Sequence, residues 1–173
     1  MSRIRAAVLT ISDRCSRGES EDRSGPAVAA LCRERLDADV VETAVVPDKA
    51  SRIARKVGAW SQPARRIDLA LTTGGTGLAP RDITPEALSP LIERHHPALL
   101  ELARLRCLPK TPLAFLSRGV AGAIGRTLVI TLPGSPRGAT EMLDAICDIL
   151  PHAIDILRGE GSDAHAAMKA KQR

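Results

Sequence analysis

Thr72-Thr-Gly-Gly-Thr-Gly77 sets three glycines directly behind an apolar run. Glycines at such a place let the backbone turn sharply and bring its N–H groups close to an anion. A phosphate cradle and a plain tight turn both fit the spacing. The segment is not a Walker A loop, because no Gly-Lys-Ser/Thr follows, and it is not the G-x-G-x-x-G of dinucleotide-binding proteins. Asp82 follows in Ala79-Pro-Arg-Asp-Ile-Thr-Pro85. Thr84 is the better cap for a helix opening at Pro85, which leaves Asp82 partly spare. Asp48 stands behind a different apolar run and fits a helix N-cap equally well. If both aspartates serve chemistry, two carboxylates meet beside a glycine loop. Carboxylates together with substrate phosphates are the usual way of holding Mg²⁺. Such an ion neutralises a polyphosphate and orients it for in-line displacement.

Other residues offer weaker chemistry. Pro133-Gly134-Ser135-Pro136 is a sharp turn where Ser135 and free helix N–H groups could bind an anion, or could form a capped helix start. Ser117-Arg118 sits among glycines, and a guanidinium there could clamp a phosphate bidentately or simply be solvated. Ser12-Asp13 ends the first apolar run. His95 and His96 lack a third ligand at metal spacing and read as surface residues. Cys15, Cys32, Cys107 and Cys147 are scattered, with no C-x-x-C pair, and read as free thiols.

Apolar runs at Arg5–Ile11, Asp39–Val46, Ile67–Thr73, 113–116 and 128–132 predict strands. The segment Arg14 to Arg23 reads as a polar loop. Ser24 is a plausible cap for a helix that buries Val28, Leu31, Cys32 and Leu36. Ile53, Val57 and Trp60 mark one face of a second helix. Thr84-Pro85 and His96-Pro97 each predict a helix start. Gly119, Gly122 and Gly125 suggest a hairpin or an irregular excursion. Met142, Leu143, Ile146 and Leu150 predict a helix that Ile154 and Leu157 extend or follow. Alternating strands and helices imply an α/β fold with a mainly parallel sheet covered on both faces. Residues 1–160 read as one domain and 161–173 as a frayed tail. Ligands in such sheets bind beyond the carboxyl ends of the strands. Here that edge carries Ser12-Asp13, Pro47-Asp48, Thr73 to Asp82, and Pro133 to Pro136.

The 173-residue chain carries 25 Lys and Arg against 20 Asp and Glu, a net charge of +5. Trp60 and Phe115 are its only aromatics. Single-strand nucleic-acid modules stack bases on several rings, so this composition argues against them. No apolar stretch approaches the roughly 18 residues of a membrane span. The expectation is a cytoplasmic protein with no nucleic-acid or membrane partner.

Leu9-Thr-Ile-Ser-Asp13, Asp22-Arg-Ser-Gly-Pro26, Val46-Pro-Asp48, Leu71 to Gly77, Pro80-Arg-Asp-Ile-Thr-Pro85, Leu116-Ser-Arg118 and Leu132-Pro-Gly134 stand in this order. The set closely resembles the MoaB/Mog family of molybdenum cofactor biosynthesis proteins, including the G domains of Cnx1 and gephyrin. The resemblance implies a three-layer α/β/α sandwich, assembled as a homotrimer. It implies adenylylation of molybdopterin from ATP with Mg²⁺, release of pyrophosphate, and hand-off to a molybdate-insertion protein. The family's catalytic aspartates fall on Asp48 and Asp82, which would also hold Mg²⁺. Its substrate and nucleotide loops match Ser12, Asp13, Thr73, Gly74, Gly75, Thr76, Gly77, Ser117, Arg118, Pro133, Gly134 and Ser135. Gly119 departs from members that carry Ser or Gln there. The alternative is a relative that binds molybdopterin or regulates without adenylating it. With so few aromatics, both ring systems are expected against Gly74–Gly77 and Pro133–Ser135 and away from Trp60.

Overall fold

A computed structural model of the chain describes residues 2–159. The expected tail, 161–173, lies outside the described residues. In chain order the elements are β1 (Arg5–Ile11), α1 (Asp13–Ser16), α2 (Ser24–Leu36), β2 (Asp39–Val46), α3 (Ala50–Trp60), β3 (Leu69–Thr73), α4 (Thr84–Leu88), β4 (Arg94–His95), α5 (Pro97–Cys107), β5 (Ala121–Ile124), β6 (Thr127–Leu132), α6 (Pro136–Asp144) and α7 (Leu150–Arg158). The strands form one sheet in the order β2-β1-β3-β6-β5-β4. β2, β1, β3 and β6 run parallel, whereas β5 and β4 are antiparallel additions at one edge.

Side chains on a strand alternate between faces, and β1 shows how this splits the core. Ala6 and Val8 join Val28 and Cys32 of α2, Leu99 and Leu100 of α5, Met142 of α6 and Ile154 of α7. Ala7, Leu9 and Ile11 join Ile53, Val57 and Trp60 of α3 and Leu88 of α4 on the opposite face. The result is the three-layer α/β/α sandwich. The register sets Thr10 beside Thr73 and Thr73 beside Leu132. The carboxyl ends of β1, β3 and β6 therefore open onto one edge, and Ile11 beside Val46 adds β2 to it.

Several local expectations are corrected. Residues 113–116 are not a strand but part of a 3-10 helix, Pro112–Leu116, capped by Thr111, whose Oγ1 accepts from the Leu113 amide at 3.2 Å. Its apolar residues face outward: Leu113, Phe115 and Leu116 are exposed, and only Ala114 is buried. The strand pairing with β6 is instead β5, built of small residues in the glycine-rich stretch, so that stretch is a hairpin turning at Gly125. The third strand begins at Leu69, two residues later than expected. The polar loop after β1 opens with the single turn α1. α6 and α7 are separate helices, with Pro151 in the first turn of α7. Ser24 is the first residue of α2 and not its cap. The capping group is Asp22, whose Oδ1 accepts from the Gly25 amide at 3.0 Å.

All four cysteines are free. Burial pushes the Cys32 thiol up to about 12 and Cys147 to about 11, so both stay protonated.

Candidate active site

The glycine loop is shaped by contacts that exclude side chains. Gly74 adopts φ 106° and Gly75 φ 63°. A Cβ on Gly74 would run into the carbonyl oxygen of Ile11, and one on Gly75 into Thr84 Oγ1. The loop therefore crosses directly over the end of β1. Thr84 does not cap α4. It is the first residue of that helix, and its hydroxyl donates to the Gly74 carbonyl at 2.9 Å. The Thr84 amide donates to the Gly75 carbonyl at 3.0 Å. The start of α4 is thus bolted onto the turn that follows β3.

Asp48 is not a helix cap either, because α3 is preceded by Lys49 and has no side-chain cap. Its Oδ2 accepts from the Asp13 amide at 2.8 Å, and Asp13 Oδ1 accepts from the Asp48 amide at 3.1 Å. This reciprocal clasp joins the ends of β1 and β2. Asp48 Oδ1 faces the loop, 3.4 Å from the position of a Cβ on Gly75. Asp82 Oδ2 lies 2.8 Å from the position of a Cβ on Gly77, and the same oxygen accepts from the Ala79 amide at 2.9 Å. Two aspartates, one behind β2 and one behind β3, therefore lie against one glycine loop.

A cleft of about 590 Å³ opens at this edge. Of the residues singled out from sequence, Ser12, Asp13, Asp48, Gly74, Gly75, Asp82 and Gly134 line it. Thr73, Thr76, Gly77, Ser117, Arg118, Pro133 and Ser135 do not. Thr73 is buried and ties the ends of β3 and β6 together through the Pro133 carbonyl at 2.6 Å. Thr76 is buried under Ser117, whose hydroxyl meets Thr76 Oγ1 at 3.3 Å. Pro133 and Ser135 line a neighbouring groove of about 370 Å³ with Leu113, Ala114 and Met142. Ser135 also caps α6, its Oγ accepting from the Gly138 amide at 3.1 Å. Neither Trp60 nor Phe115 lines the cleft or the groove.

The cleft also contains Arg14, Arg23 and Arg81, which were not singled out. Arg23 and Arg81 lie inside the quoted Asp22–Pro26 and Pro80–Pro85 segments, so a signal existed for both. Arg14 had none. Asp22 lines the cleft too, accepting from Thr10 Oγ1 at 2.7 Å while it caps α2.

Burial lifts the Asp48 carboxyl above its usual range. The Asp13 amide opposes this, the Asp13 and Asp82 charges add to it, and Arg81 opposes it. A cation between the aspartates would relieve the strain on that charge. Among the described residues no three His, Cys, Asp or Glu side chains converge on one point. The carboxylates alone do not enclose an ion, which fits Mg²⁺ completed by water and substrate phosphates.

Residues 7–152 match the family model described as a probable molybdopterin binding domain. Gephyrin of Dictyostelium discoideum is 40% identical over 163 residues, covering 88% of this chain and 22% of that one. The molybdenum cofactor synthesis protein cinnamon of Drosophila melanogaster is 39% identical over 157 residues, 91% of this chain and 26% of that one. The chain thus spans about a quarter of these two proteins. It spans 90% of a molybdopterin adenylyltransferase of Helicobacter pylori strain J99, at 37% identity over 160 residues and 92% of this chain. The crystal structure of the molybdopterin biosynthesis enzyme MoaB from Thermus thermophilus superimposes with a TM-score of 0.84 at 46% identity, covering 90% of this chain and 97% of that one.

Proposed function

The chain belongs to the molybdopterin-binding domain family, and on that footing we propose that it is a molybdopterin adenylyltransferase of molybdenum cofactor biosynthesis. A terminal phosphate oxygen of molybdopterin attacks the α-phosphorus of ATP. The new P–O bond forms as the bond to the bridging oxygen of the β-phosphate breaks, and pyrophosphate leaves. The observation that carries this reading is the pair Asp48 and Asp82 beside one glycine loop, in one cleft at the carboxyl edge of the sheet.

The reaction gathers negative charge, so the protein must offset repulsion between phosphates. Arg14, Arg23 and Arg81 line the cleft, but so do Asp13, Glu21, Asp22, Asp48 and Asp82, so the lining is net acidic and suits a phosphate substrate that arrives with its cation. Backbone N–H groups of the glycine turn add fixed dipoles, already oriented before the substrate arrives. Asp48 and Asp82 would hold Mg²⁺, which supplies charge neutralisation to the triphosphate and its leaving group. A phosphate nucleophile is ionised at neutral pH, so neither aspartate needs to act as a strong base. Ser12 and Asp13 form the wall beside Asp48, and Gly134 the wall beside Gly74. The groove lined by Pro133, Ser135 and Met142 offers an apolar, non-aromatic surface for a flat ring.

The same reading includes a homotrimer in the cytoplasm that hands its product to a molybdate-insertion protein. Leu105, Leu108, Leu113, Phe115 and Leu116 concentrate exposed apolar surface along one short stretch of chain, as a subunit interface requires. No helix among the described residues is long and apolar enough to cross a membrane. Purified protein given ATP, Mg²⁺ and molybdopterin should release pyrophosphate. Tight pterin binding without release would replace the enzyme with the binding relative.

A further inference from the structure

The family resemblance puts Arg118 among the substrate contacts, but the structure surrounds it with partners of its own. Its Nε donates to the Gly77 carbonyl at 2.8 Å and its Nη2 to the Asp82 carbonyl at 2.6 Å, while Nη1 pairs with the Glu86 carboxylate. The Arg118 amide donates to the Thr76 carbonyl at 2.8 Å. Ser117 is held on both sides, by Thr76 at its hydroxyl and by Arg104 of α5, which donates to its carbonyl at 2.8 Å. Residues 117–118 therefore form a strap across the glycine loop. The guanidinium reaches from the end of that loop to the peptide of Asp82.

Between those two anchor points the chain makes a short turn. The Asp82 amide donates to the Ala79 carbonyl at 2.8 Å, and the Asp82 carboxylate accepts from the Ala79 amide. The turn has no sheet or long helix to hold it. Its fixed points are Thr84 on the glycine loop and the Asp82 carbonyl on Arg118.

This inference rests on the proposed adenylyl transfer: we propose that Arg118 is a positioning residue, which sets Asp82 against the glycine loop, and not a ligand of the substrate phosphates. Only a guanidinium suits the place, because its planar fork satisfies three separate acceptors at once and a lysine ammonium on a flexible stem does not. The Glu86 pair is solvent-exposed and weak in water. The two carbonyl bonds are exposed as well, but they are the ones that tie Gly77 to Asp82, whereas Glu86 lies on α4, so Glu86 is secondary.

Arg118→Ala, Arg118→Lys and Glu86→Gln in the full-length protein test this with two readouts. Amide hydrogen exchange should speed up at Asp82 and Thr84 in both Arg118 variants while β1 and β6 keep their protection. In steady-state kinetics kcat should fall about tenfold to a hundredfold in both, as small misplacements of catalytic groups do. KM for ATP and for molybdopterin should stay within about twofold, because uniform binding is not what is lost. Glu86→Gln should stay near wild type in both readouts. Unchanged exchange over residues 79–84 overturns the proposal. So does a raised KM with kcat retained, largely restored by lysine, which would mark Arg118 as a phosphate ligand. If the wild-type protein forms no adenylated product, the proposed function fails, and hydrogen exchange alone still decides whether Arg118 holds the turn.

Discussion

Asp48 sits where its own charge is unfavourable to the fold. Burial raises its pKa above the ordinary 3.8, so the folded protein holds the Asp48 proton more tightly than the unfolded chain does. A raised carboxyl of this kind lowers stability as pH rises from about 3.8 through the lifted value, and the deficit then stays constant at higher pH. Asp48→Asn removes the deficit and keeps an oxygen for the Asp13 amide. Its melting temperature at pH 7 should therefore exceed that of wild type in Mg²⁺-free buffer, the gap closing as the pH falls below the ordinary aspartate value. An equal or lower melting point at pH 7 would contradict this reading of the carboxyl. Adenylyl transfer by the same variant should fall. Sequence alone left Asp48 open between cap and catalyst. The cap reading falls because its carboxylate is engaged by Asp13, 35 positions away in the chain, and not by the helix that follows. The partners of Arg118 were hidden for the same reason, lying 32 to 41 positions away. Adjacent residues carry no record of such contacts.

At the scale of elements, two glycines should behave oppositely. Gly74 needs φ 106° and has Ile11 against it, so Gly74→Ala should destabilise by about 2 kcal/mol or more. Gly58 lies inside α3 with open space around it, so Gly58→Ala should stabilise by roughly 0.5–1 kcal/mol. Urea denaturation of both variants checks the pair. Equal effects would show that the turn after β3 is not under the constraint described. The long buried strands were legible because uninterrupted runs such as Ala6 to Leu9 are what a sheet covered on both faces requires. The segment 113–116 misled because its apolar residues serve the surface and not the core. Pro112 also starts it without an N–H to donate. β5 was unreadable as a strand in its own right, since Ala and Gly carry no strand pattern and its pairing with β6 and β4 defines it.

For the whole molecule, the parallel strands put every loop of the cleft on one edge, and the exposed apolar residues of 105–116 lie outside the cleft, on α5, the turn after it and the 3-10 helix. Sedimentation of the purified protein should give a mass near three chains, and Leu105→Asp or Leu116→Asp should shift it towards one. A monomer in the unmodified protein would leave that apolar surface unexplained. The near absence of aromatic residues was first a reason to set nucleic-acid stacking aside. Trp60 is 1% exposed in the core, and neither it nor Phe115 lines the cleft or the groove, so on the proposed function adenine and pterin would rest on glycine backbone, proline and aliphatic side chains.

The most direct test supplies ATP labelled at the α-phosphate, Mg²⁺ and molybdopterin to the wild-type protein and to Asp82→Asn. Wild type should move the label onto molybdopterin with one pyrophosphate released per transfer, and Asp82→Asn should fold normally yet lose about a hundredfold or more of the rate, as loss of a charge-placing group does. Label that stays in ATP while pterin binds tightly, or an Asp82→Asn variant that turns over at the wild-type rate, would contradict the assignment of this cleft.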